Sequence, residues 1–240
     1  MTNLERELWV DQLGKSFLTA FQWISSRDSQ IPVAEFASEW ARLIASALND
    51  VRLTAPPTVD DRQPFLPFIK KHRITTQLFQ TLRSGMLGGP PLDLIVQIWF
   101  DTEHASGGFG VPLVMQQVPR SGAMPEPMWQ ELHQTAQKLN VATPSGRFVL
   151  LRRGVDLGSD SLFDDDHHPV VMSSFTLAST RSAPHPLYGR RLDQFCQDLA
   201  SGWIGDPALS GRTDSPVFNE ILSNFHVGSV LRISIGLEDA

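Results

Sequence analysis

Residues 92–101 read LDLIVQIWFD. Apolar side chains fall at every second position, and the run is rich in β-branched and aromatic residues, which suit a pleated, half-buried surface. This is a strand, and it divides the chain. Upstream of it the apolar spacing is mostly helical; downstream, strands and helices mix.

Working upstream, residues 2–26 predict a helix. Thr2 and Glu5 have the spacing of a capping box, and Trp9, Leu13, Phe17, Phe21 and Ile24 recur at helical intervals. A second helix starts near Pro32, where a missing N–H costs nothing, with Val33, Phe36, Trp40, Ile44, Leu48 and Val51 as its stripe. LTAPPTVDDRQPFLPF (53–68) is a proline-rich connection that blocks a long helix. Ile74, Leu78, Phe79 and Leu82 predict a third helix over 74–86, stopped by MLGGPP (86–91).

Working downstream, HASGGFG (104–110) predicts a glycine-containing hairpin loop leading to a strand, VPLVMQQV (111–118). A helix follows over 125–140, then strands over 147–155 and 169–179, helices near 188–202 and 215–224, and a last strand over 229–237. The predicted fold is therefore α+β: an N-terminal helical segment (1–88), free-standing or packed on the sheet, then an α+β part (89–240) with a mainly antiparallel sheet and packed helices.

With 41% hydrophobic residues in 240, the chain can bury a real core. A net charge of −6 argues against a general polyanion binder, so no nucleic-acid partner is expected. The charge is uneven: residues 1–90 carry 10 Lys+Arg against 9 Asp+Glu, whereas 91–240 carry 10 against 17. The N-terminus lacks the apolar core of a signal peptide, and runs such as FVLL are far short of the roughly 20 residues that span a bilayer. A soluble, cytoplasmic protein without membrane contact is expected.

One cysteine, Cys196, excludes an intrachain disulfide and a cysteine zinc cluster, and its helical setting predicts a buried thiol. Only four lysines occur, none after Lys138, each in a polar setting unsuited to Schiff-base chemistry. No phosphate-cradling loop, H-E-x-x-H helix or nucleophile elbow is present. The basic groups IKKHR (69–73), Arg152-Arg153 and Arg190-Arg191 read as solvated faces.

The chemistry-bearing stretch is FDDDHHPV (163–170), at the end of a loop of about 13 residues. Asp164, Asp166, His167 and His168 are the correct donor types for one divalent transition metal. However, neighbouring side chains on extended backbone point apart, and the spacing fits no EF-hand. His104, His185 and His226 are the remaining candidate ligands. The same stretch, Asp164, Asp165, Asp166, His167 and His168, also reads as an acidic surface that steers a basic protein partner. Trp23 and Trp129 sit off the inward stripes and predict a contact face. Two functions are therefore expected to compete. One is a non-enzymatic binding protein, of the adaptor, inhibitor or immunity type, without a cofactor and acting through its acidic C-terminal surface. The other is a metal-dependent hydrolase using the 164–168 cluster.

Overall fold

A computed structural model describes residues 3–27, 31–53, 72–80, 89–102, 105–119, 124–152, 169–182, 189–210 and 215–237. LDLIVQIWFD falls inside strand β3 (Pro91–Thr102), which sits near the centre of one mixed sheet. The order of elements is α1 (Asn3–Arg27), α2 (Val33–Leu48), β1 (Arg52–Leu53), β2 (His72–Gln80), β3, β4 (Ala105–Val118), α3 (Glu126–Ala142) and β5 (Arg147–Arg152). Then come β6 (Val170–Ser173), α4 (Ser174–Ser179), β7 (Arg190–Arg191), α5 (Leu192–Ser201), α6 (Pro216–Asn224) and β8 (His226–Leu237).

The strands lie in the order β1-β2-β8-β3-β4-β5-β6-β7. β8 runs parallel to β3 and β4 parallel to β5; the other five pairings are antiparallel. The α+β class expected from sequence holds, with a sheet that is mixed rather than purely antiparallel.

Helices cover both faces. On the first face, Trp9, Leu13 and Phe17 of α1, Trp40 and Ile44 of α2 and Phe195 and Leu199 of α5 share one core with Leu94, Val96, Ile98, Ile233 and Ile235 of the sheet. Two buried indoles tie the helices together. Trp9 Nε1–H donates to the Ala200 carbonyl at 2.9 Å and Trp40 Nε1–H to the Phe17 carbonyl at 2.9 Å, so neither polar tip is orphaned. On the second face, α3, α4 and α6 build another core from Trp129, Leu132, Leu139, Leu177 and Ile221 over Ile95, Val114, Phe148 and Val230.

Three sequence expectations are corrected. Residues 72–80 form β2, not the start of a third helix. Ile74 and Leu78 are four apart, a spacing that both periods allow, and the β-branched run Ile74-Thr75-Thr76 decides for the strand. Its alternate residues Arg73, Thr75, Gln77 and Phe79 are all exposed. SGGFG belongs to β4, not to a loop. Gly108 lies under the Trp99 ring, where an added Cβ would come within 2.8 Å of it, and an added Cβ on Gly110 would come within 2.5 Å of the Leu209 carbonyl oxygen. Finally, the strand expected over 169–179 stops at Ser173, whose hydroxyl accepts the Thr176 amide at 3.0 Å and so caps α4.

Candidate functional site

Asp164, Asp165, Asp166, His167 and His168 lie outside the described residues, as do His104, His185, Arg153 and Tyr188. His226 begins β8, opposite Pro91. Among the described residues no three His, Cys, Asp or Glu side chains gather as metal ligands would. Cys196 is buried in α5, and burial first, then Asp193, pushes its thiol well up, so it remains protonated and inert as a nucleophile. Of the two tryptophans expected at a contact face, Trp129 is buried in the second core with its ring tilted against His133, whereas Trp23 is 39% exposed.

Sequence reasoning missed the concave feature that the fold builds. A groove of about 620 Å³ runs between α1 and α5, lined by Val10, Asp11, Gly14, Lys15 and Leu18 on one side and Asp193, Gln197, Ser201 and Trp203 on the other. The lining follows directly from helical spacing: 10, 14 and 18 make one stripe of α1, and 193, 197 and 201 one stripe of α5. The volume lies within the usual range for ligand sites.

Trp203 dominates the rim. It follows Gly202, whose φ of 80° closes α5 in the left-handed conformation, and its amide donates to the Asp198 carbonyl at 3.0 Å. The backbone there is thus fixed while the indole stands 79% exposed. Gly14 forms part of the floor. It lies in the middle of a helix, where glycine costs about 1 kcal/mol relative to alanine, yet an added Cβ would meet nothing within 4 Å. The chain's own packing does not require that glycine.

The charges around the groove are partly internal. Lys15 Nζ bonds Asp11 at 2.6 Å, and Arg191 Nε bonds Asp193 at 3.2 Å, both at the surface where such pairs contribute little. The two lining carboxylates, Asp11 and Asp193, are each matched by one of these cations, so the groove is close to neutral. No signal in sequence could have joined its walls, because Trp9 and Ala200, which hold the helices together, are 191 residues apart.

No helix among the described residues is long and apolar enough to cross a membrane. Compared with known proteins, the chain matches no family model, no curated protein and no solved structure.

Proposed function

We propose that this chain is a binding protein of the adaptor or inhibitor type that seats a segment of another protein in the α1–α5 groove. The observation that carries this reading is Trp203, an indole 79% exposed on a fixed helix end beside an apolar-floored groove. Leaving that much aromatic surface in water is unfavourable, and tryptophans in such positions are the commonest anchors of protein interfaces. The apolar surface of Val10, Leu18 and Trp203 suits an apolar side chain of that segment, and the acidic stretch Asp164–Asp166 would steer a basic partner. The hydrolase reading rests on residues outside the described ones and stands on the sequence alone.

Photo-crosslinking in cells tests the proposal. A crosslinking residue replacing Gln197 in the groove wall is compared with one replacing Val141, which is 82% exposed on α3 at the other face of the sheet. The expected result is a discrete adduct from position 197 alone, lost when Trp203→Ala is added. The purified partner should then bind Trp203→Ala at least roughly tenfold more weakly, with the melting temperature unchanged. The same bands from both positions, or none from either, would overturn the reading.

A further inference from the structure

The walls of the α1–α5 groove carry a spacing that selects the form of its occupant. On α1, Asp11, Gly14, Lys15 and Leu18 stand at i, i+3, i+4 and i+7. Four residues so spaced surround a hole on a helix surface, the kind that takes one knob side chain of a facing helix. Gly14 deepens this hole, since it lacks a Cβ and nothing lies within 4 Å of where one would be. Opposite, Asp193, Gln197 and Ser201 follow at four-residue intervals along α5. From Val10 to Leu18 and from Asp193 to Ser201, each wall rises about 12 Å, a little over two helical turns.

The rim that bears Trp203 is clamped on both sides. Gly202 and Gly205 lie against the Phe109 ring, which a Cβ at either position would crowd. Asp206 exchanges both backbone hydrogen bonds with Gly110 of β4, at 2.9 Å and 3.0 Å. Its carboxylate accepts the Thr143 hydroxyl at 2.6 Å and the Ala208 amide at 2.9 Å. The backbone of Trp203 is therefore held between the end of α5 and a bridge to the sheet. An occupant meets the indole on a preset support, which lowers the cost of ordering it on binding.

We propose that the partner segment seated in this groove is an amphipathic α-helix, with one apolar side chain over Gly14 and another against Trp203. The inference rests on the groove being the partner site. Both walls are helices, whose amides and carbonyls are engaged in their own hydrogen bonds, so they offer an incoming chain no backbone ladder. An extended segment desolvated there would leave buried amides and carbonyls unpaired, whereas a helix pairs them within itself. The charges agree. Lys15 is matched by Asp11, and Asp193 by Arg191, so the lining presents both signs in balance around an apolar floor. A helix with mixed charges beside an apolar stripe complements that pattern, and a uniformly charged one does not. The glycine inside α1 then has a purpose: it lets the two helices approach closely.

The test starts from the adduct formed at position 197. Mass spectrometry locates the crosslinked residue of the partner, and a peptide of about 20 residues centred on it is synthesised, long enough to overhang the groove at both ends. Its binding to the whole protein is measured by calorimetry, and its conformation by difference circular dichroism. The peptide should gain helix on binding, and the residues whose alanine variants weaken it should recur at i, i+3 or i+4, and i+7. A proline at a central position of the opposite face should weaken binding roughly a hundredfold, the penalty of proline inside a helix, where alanine changes little. Gly14→Leu fills the hole while its Cβ meets open space, so it should fold normally and bind the peptide at least roughly tenfold more weakly. An unchanged affinity of the proline variant, no gain of helix, or indifference to Gly14→Leu overturns the helical occupant and leaves the groove as the partner site. No adduct at position 197 sinks both. A concentration-dependent dimer in sedimentation velocity, lost in Trp203→Ala, assigns the groove to a second copy and also overturns the proposal.

Discussion

Asp93 sits where the β3–β8 ladder skips a step: Leu92 pairs with Val227 and Leu94 with Ser229, the register being the same on either side. Its carboxylate takes over a backbone role, accepting the Met115 amide at 2.7 Å. Burial pushes its pKa up from 3.8 to about 6, against the opposing pull of that hydrogen bond. A carboxyl that holds its proton more tightly folded than unfolded makes the fold most stable below pH 4, and stability falls as pH rises through 6. Asp93→Asn keeps an oxygen for the Met115 amide and cannot ionise. Urea melts should show it more stable than the parent at pH 7, by at most about 3 kcal/mol, with the gain gone near pH 3.5. A gain that does not change with pH would show that ionisation is not the cause. LDLIVQIWFD reads clearly as a strand, but nothing in it tells that its second residue is spliced into the hydrogen-bond ladder. That depends on β4 and β8, which arrive from elsewhere in the chain.

Among the elements, two glycines should respond in opposite ways. Gly14→Ala, with open space around the new Cβ, should stabilise α1 by about 1 kcal/mol in thermal or urea melts. Because it raises the groove floor, it should at the same time weaken the binding proposed for that groove. Gly108→Ala places a Cβ 2.4 Å from the Ile98 carbonyl oxygen and 2.8 Å from the Trp99 ring, and should destabilise by about 1–3 kcal/mol. The helices α1, α2, α3, α5 and α6 were legible in sequence because each carries a sustained apolar stripe or a proline in its first turn. β2 was not, because its inward residues Ile74 and Leu78 satisfy a helical spacing too. α4 was not, because six residues are too few to show a period and only the Ser173 cap marks its start.

For the molecule as a whole, the N-terminal helices are not a separate layer with its own core. α1 and α2 bury Trp9, Phe17 and Trp40 against Ile233, Ile235 and Ile98, and β2 pairs with β8 along nine residues, His72 to Gln80. A fragment of residues 89–240 would leave the apolar first face of β3 and β8 in water. It should fail to show a cooperative thermal transition by circular dichroism, whereas the whole chain should melt in one. An independent cooperative melt of that fragment would show that the shared core is dispensable. The α+β class was readable from the order of periodicities. The joining of the two parts was not, since no local pattern reports that β8 threads between β2 and β3.

That threading has a consequence for how the protein is made. β8 is the last described strand in sequence, yet it lies inside the sheet, with β2 on one side and β3 on the other. On the ribosome, β2 and β3 therefore emerge with nothing to pair between them until residues 226–237 have followed. Through most of synthesis the nascent chain offers the unpaired facing edges of β2 and β3, the kind of surface that aggregates or recruits chaperones. Closure then waits on contacts of very large sequence separation, which are slow to form. A stalled or C-terminally clipped chain is thus left with its sheet split in two, β1–β2 apart from β3–β7.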